Sequence, residues 1–203
     1  EFYYSNYTGN ANKIWKTELV NNRWTTPALA PFLQSPWTIE PNFSPDGQSL
    51  YFVSTMPDNP PGPPYNTNLR IWTMDKSDSG WTTPHVLQGP FSDSLKMFPS
   101  VASNRNLYFT ETYNNRGVIY KSEWTFGGGY QTPVKLDSAI NRFMSQAHPF
   151  IAPDESFLLF DANPEGPPEW KSYIYISYRN QDGTWQEARK LPATINATGG
   201  EYC

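Results

Sequence analysis

Glu40 and His148 each stand immediately before a proline at matching points of a repeated segment, and Glu201 lies two residues before the next such point. A carboxylate and an imidazole brought to one mouth can act as general acid and base. A carboxylate pair roughly 5–10 Å apart across a sugar is the glycosidase arrangement. Glu40, His148 and Glu201 are therefore the candidate catalytic set. The plainer reading makes Glu40 and Glu201 solvated or backbone-bonded channel residues, and His148 a structural imidazole bonding a neighbouring element. Lys96 and Gln146 share the position of Glu201 in their own repeats and are candidate ligand-binding residues. Glu111 and Asp161, just beyond a strand, join them. Among the aromatics, Trp37, Tyr65, Tyr113, Trp124 and Trp170 fall outside the repeat, which makes them the better candidates for stacking on a ligand; Trp37, Tyr65 and Trp170 lead.

The elements that would carry these residues recur every roughly 50–58 residues. An aromatic-rich strand reads Phe2-Tyr3-Tyr4-Ser5, Leu50-Tyr51-Phe52-Val53, Leu107-Tyr108-Phe109-Thr110 and Leu158-Leu159-Phe160-Asp161. Ile14-Trp15, Ile71-Trp72, Ile119-Tyr120 and Ile174-Tyr175 mark the next. Trp24-Thr25-Thr26-Pro27, Trp81-Thr82-Thr83-Pro84, Tyr130-Gln131-Thr132-Pro133 and Trp185-Gln186-Glu187-Ala188 read as a third. A preceding strand holds Phe43, Val101 and Ile151 at equivalent places, followed by Pro45-Asp46-Gly47 and Pro153-Asp154-Glu155 turns. Four short strands per unit predict an all-β fold, a β-propeller of four-stranded antiparallel blades. About four blades are present, as part of a larger propeller or, alternatively, a self-contained ring. The expected divisions of one domain spanning 1–203 are a partial blade 1–39, blades 40–97, 98–147 and 148–200, and 201–203 opening a next or ring-closing strand. The recurring Trp24, Trp81, Tyr130 and Trp185 are expected in the core. Two proline-rich loops, 56–65 and 163–170, decorate one rim.

Composition narrows the classes. Aromatics make up 16% of the 203 residues and charged residues 17%, a balance suited to sheets packed face to face. A net charge of −4 argues against nucleic-acid binding, which needs a basic face. No run approaches the 18 or so apolar residues of a membrane span. With two His and one Cys a zinc site is not expected, and no cofactor is required. A calcium site through Asp46, Asp154 or Asp161 stays open, although no EF-hand spacing is present. Asp46 and Asp154 also repeat where a hairpin needs a turn residue. There is no Gly-x-Ser-x-Gly elbow, and Gly127-Gly128-Gly129 lacks the Lys-Ser/Thr of a phosphate loop.

Pro41-Asn42-Phe43-Ser44-Pro45-Asp46-Gly47 followed by Leu50-Tyr51-Phe52 resembles the WD40-like PD40 repeat, the TolB-type propeller blade. His148-Pro149-Phe150-Ile151-Ala152-Pro153-Asp154-Glu155-Ser156 resembles it more closely; Ser103-Asn104 departs from it. The resemblance covers nearly the whole chain and implies a periplasmic or secreted bacterial protein. Its leading role is then binding of a protein or glycan at the channel mouth and loops. A carbohydrate-active hydrolase or lyase using Glu40, His148 and Glu201 is the alternative, and a structural module of a larger secreted protein a third.

Overall fold

The computed structural model describes residues 1–32, 34–57, 69–91, 95–127, 129–166, 169 and 171–202. Among them every element is a strand. The candidates Tyr65 and Trp170, and most of the two proline-rich loops, lie outside the described residues.

Four antiparallel sheets follow one another as propeller blades. The first orders Phe2–Tyr7, Asn12–Thr17 and Ala28–Leu29. The second runs Thr38–Phe43, Ser49–Ser54, Arg70–Ser77 and His85–Val86. The third runs Lys96–Val101, Leu107–Tyr113, Arg116–Ser122 and Val134–Lys135, and the fourth Ser145–Ile151, Phe157–Asn163, Tyr173–Tyr178 and Arg189–Lys190. The fourth strand of each blade differs from the expectation. The aromatic-x-x-Pro segment is not that strand: in the first three blades its proline, which cannot donate into a ladder, precedes a two-residue outer strand, and in the fourth Ala188 holds that place before Arg189–Lys190. The aromatic instead closes a small ribbon, as in Trp124–Thr125 with Gly129–Tyr130.

Period-two alternation sends neighbouring residues to opposite seams. In Ser49–Ser54 every residue is buried. Leu50 and Phe52 join Tyr3, Ile14 and Trp72 between blades one and two, while Tyr51 and Val53 join Val101, Leu107 and Phe109 between blades two and three. Tyr108, Ile151 and Phe160 share the third seam. Phe43, Val101 and Ile151 are therefore counterparts in three successive seams, as their spacing predicts. Gly117 allows the closest approach in the third seam: a Cβ there would sit 2.2 Å from the Gln146 carbonyl oxygen.

The repeated aromatics reach back to the preceding blade. Trp81 packs on Phe43, which packs on Tyr3; the Tyr130 hydroxyl bonds that of Tyr51 at 3.1 Å; Trp185 meets Tyr108 edge-on. Trp24 corrects the expectation of a core residue, being 59% exposed. It sits on the first blade, where the described residues offer no preceding blade to receive it.

The third seam also holds a buried carboxylate, Glu155, which sequence reading assigns only to a turn. Glu155 accepts hydrogen bonds from Tyr108 Oη (2.7 Å), Asn106 Nδ2 (3.0 Å), Asn104 Nδ2 (3.0 Å) and Arg179 Nη1 (2.6 Å), with Lys121 Nζ at 3.5 Å. Burial pushes its pKa up, but the bonds from Asn106 and Tyr108 and the charges of Lys121 and Arg179 outweigh it and hold the carboxyl at about 2. A depressed pKa contributes stability above the unfolded value, lost as pH falls from about 4.5 toward 2; here it is worth roughly 3 kcal/mol. Thermal unfolding from pH 7 to 2.5 should show this acid loss in the native chain and much less of it in Glu155→Gln, which starts less stable. Parallel losses in the two proteins would exclude the carboxylate as the acid-sensitive element.

Candidate functional site

Each inner strand breaks its register at the residue before the repeated proline: between Ile39 and Asn42, Met97 and Ser100, and Ala147 and Phe150. There Glu40, Phe98 and His148 adopt left-handed backbone, with φ of 60°, 57° and 47°. Non-glycine residues rarely do so, and the bulge turns each side chain out of the ladder. The three converge. Glu40, Phe98 and His148, with Pro41, Pro99 and Pro149, line one cleft of about 240 Å³.

Contacts between blades lock this geometry. The Glu40 N–H donates to Ser5 Oγ of the first blade (2.7 Å), and Glu40 Oε2 accepts from the Phe98 N–H of the third (2.9 Å). The Phe98 ring lies on the His148 ring, centroids 3.7 Å apart. His148 Nδ1 is 2.6 Å from Asp161 Oδ1, and Ser172 Oγ donates to Asp161 Oδ2 (3.1 Å). An ionised Asp161 only accepts, so the pair places the proton on Nδ1 and leaves Nε2 for a ligand. Tyr202 meets the His148 ring edge-on at 5.5 Å and shares an adjoining cleft with Asp161 and Ser172.

Glu40 is the electrostatically unusual group. Burial drives its pKa up to about 7, against the lowering influence of the Phe98 N–H bond and His148. It can therefore hold or release a proton near neutrality.

Three of the candidate residues thus meet: Glu40, His148 and Asp161. Gln146 and Glu201 do other work. Thr38, Gln146 and Glu201 each accept a hydrogen bond from the backbone N–H three residues earlier: Ser35, Phe143 and Thr198, at 3.0, 2.6 and 2.6 Å. Glu201 also takes the N–H groups of Gly199 and Gly200, and these bonds, led by Thr198, hold its carboxyl at about 2. Gln146 and Glu201 clamp turns and do not line the Glu40–His148 cleft. Lys96 is buried opposite Glu111 in the third blade's register. Trp37 is 42% exposed and lies against Tyr7, ring centroids 6.2 Å apart, at the seam of blades one and two. Of the carboxylates considered for calcium, Asp46 and Asp154 bond their own turns through Gln48 and Ser156, and Asp161 holds His148. Among the described residues no three His, Cys, Asp or Glu side chains gather as metal ligands.

Ser5, Phe98, Ser172 and Tyr202 are the contributors that side-chain chemistry alone passes over. The repeat offers a signal for Phe98, which occupies the position of Glu40 and His148. It offers none for the two serines.

No family model matches the chain, and no curated relative does. Among solved structures, TolB from Acinetobacter baumannii overlays with a TM-score of 0.54 at 19% identity over 91% of this chain. The chain spans 39% of the length of that protein. The catalytic domain of a GH62 α-L-arabinofuranosidase from Coprinopsis cinerea (13% identity, 99% of this chain and 69% of that one) gives 0.49, and a GH43 endo-arabinanase from Bacillus licheniformis (12%, 94% and 79%) gives 0.43. The TolB overlay supports the β-propeller fold; the two looser ones carry nothing further. No helix of the described residues is long and apolar enough to cross a membrane.

Glu40 supplies a test of the site. Its raised pKa favours the neutral form, so the folded chain loses stability as pH rises from about 4.5 through 7. Glu40→Gln, permanently neutral, should gain on the native chain across that window by up to roughly 3 kcal/mol. Melting curves at pH 5 and pH 8 measure it, and an unchanged gap between the proteins would contradict a partly buried Glu40 with a raised pKa.

Proposed function

We propose that this chain is a β-propeller binding module that grips a segment of a partner protein at its axial mouth. The reading rests on one observation, the convergence of three bulges, each followed by a proline, on a single cleft. Its walls are prolines and the Phe98 ring, which bury an apolar side chain without stranding polar groups. Its polar lining includes Glu40, able to accept from a cation, and the His148 imidazole, able to hydrogen-bond a ligand. A basic residue beside an apolar or aromatic one fits that combination. An extracytoplasmic setting follows from the PD40 resemblance and is part of the same proposal.

Glycan binding is the second reading, favoured by the exposed Tyr7–Trp37 pair. The hydrolase reading has less support. Of the catalytic candidates, Glu201 is tied into a turn; the ligand-binding candidate Asp161 is engaged by His148 and Ser172, which leaves Glu40 as the one carboxylate lining the cleft among the described residues.

Selection from a displayed peptide library tests the proposal. Enriched peptides should pair a Lys or Arg with an apolar or aromatic residue. Glu40→Gln and Phe98→Ala should each weaken them about tenfold, the size of one lost charge-assisted or apolar anchor. Undiminished binding to both variants would remove the mouth as the contact. Quenching of tryptophan emission by arabino- or cello-oligosaccharides, abolished by Trp37→Ala, would favour the glycan reading instead.

A further inference from the structure

The three seams use one plan, and the second departs from it. In the third seam the left-handed residue of the fourth blade's first hairpin, Glu155 (φ 58°), inserts its carboxylate beside Tyr108, with Arg179 as the cation and Trp185 as the flanking ring. In the second seam the residue at that turn is Arg105 (φ 67°). Tyr51 takes the place of Tyr108, Trp124 that of Arg179, and Tyr130 that of Trp185, as the strand registers show. The cation is supplied from the turn, Arg105 lying 5.5 Å from the Trp124 ring centroid. The second seam thus keeps the ring, the hydroxyl and the cation of the third, but its turn supplies the arginine where the third seam's turn supplies a carboxylate.

What remains is an open cleft of about 460 Å³, lined by Tyr51, Arg105, Trp124, Tyr130, His85 and Gln48 among others. The Tyr51 and Tyr130 hydroxyls are turned on one another at 3.1 Å. Asp75 is part of the lining and Asp46 stands beside it, within reach of the Arg105 charge; each has one carboxylate oxygen bonded inside its own blade. Asp75 Oδ1 accepts from Ser49 Oγ (2.6 Å), and Asp46 Oδ1 from Ser44 Oγ (2.6 Å) and the Gln48 N–H (3.0 Å). Lys76 adds a second cation to the lining.

We propose that this cleft binds the carboxylate of an acidic saccharide, a hexuronate unit. The ligand would take the place that Glu155 occupies one seam further on. Its carboxylate meets the Arg105 guanidinium and a tyrosine hydroxyl, two of the donor types that hold Glu155. Its ring lies against the Trp124 and Tyr130 rings, and side-chain amides such as Gln48 serve its hydroxyls. Trp124 stands outside the once-per-blade aromatic set, in keeping with a recognition role. The site is separate from the axial mouth and does not rest on the reading given for it.

Calorimetry with cellobiouronic acid, and with cellobiose as the matched neutral sugar, tests this. The acid should bind at least about tenfold more tightly than cellobiose, the value of one charge-assisted anchor. Arg105→Asn should remove that preference, asparagine being chosen because it tolerates left-handed backbone. Tyr130→Phe, which deletes only a hydroxyl, should weaken the acid while sparing the fold. Glu40→Gln should leave binding unchanged, separating this site from the mouth. Equal affinity for the two sugars, no heat with either, or an Arg105→Asn variant that keeps the preference would each overturn the proposal. So would tighter binding of an aspartate-rich peptide than of cellobiouronic acid, which would assign the cleft to a protein carboxylate.

Discussion

The arrangement depends on a backbone constraint: one non-glycine residue per inner strand is held left-handed directly before a proline. Such a conformation costs about 1–3 kcal/mol per residue and persists only where the surroundings impose it. Here they do. Ser5 receives the Glu40 N–H, Glu40 receives that of Phe98, and the Phe98 ring covers His148, so each bulge is held in part by its neighbour. A similar link runs one step along the strands, where Asn42 Oδ1 accepts from the Val101 N–H and Ser100 Oγ from that of Ile151. The axial side of the propeller is therefore a chain of side-chain-to-backbone bonds between blades, and the mouth is its consequence.

Around that axis the seams do two different jobs. Their apolar residues are interchangeable in kind, and they set spacing. Their polar residues are not. Glu155 with its donors closes one seam, while Arg105 at the same turn leaves the next one open. A side-chain amide plays a third, purely structural part. Gln34, Asn141 and Asn196 each bond both the N–H and the carbonyl of an isoleucine in the third strand, Ile14, Ile119 and Ile174, prolonging the sheet beyond its short outer strand. The matching Leu136-Asp137-Ser138-Ala139-Ile140-Asn141 and Leu191-Pro192-Ala193-Thr194-Ile195-Asn196 segments carry that pattern in the sequence, unread until the bonds are seen.

Some of the site was legible. The repeat aligns Glu40, Phe98 and His148, and residues equivalent in a propeller's inner strands must meet near the axis; they do. Asp161 was legible only as a polar residue near a rim. That it fixes the tautomer of His148 depends on two strands lying in one register. Gln146 and Glu201 could not be told from mouth residues beforehand, since a polar side chain at that position can face the channel or turn back on its own backbone. Three nearby N–H groups decide the matter for Glu201. Trp24 departs from the expectation for a related reason: a repeat says which face a ring occupies, but not whether a neighbour covers it.

The order of residues along this chain is enough to determine its strands, their faces and the blade repeat, because alternation and turn chemistry act over a few neighbouring positions. How strongly each carboxylate holds a proton, which hydrogen bonds it accepts, and which cleft stays open are decided between residues as far apart as Glu40 and Phe98 or Tyr51 and Tyr130. Desolvation and hydrogen-bond geometry act through space, and only the packing of one blade on the next sets those distances.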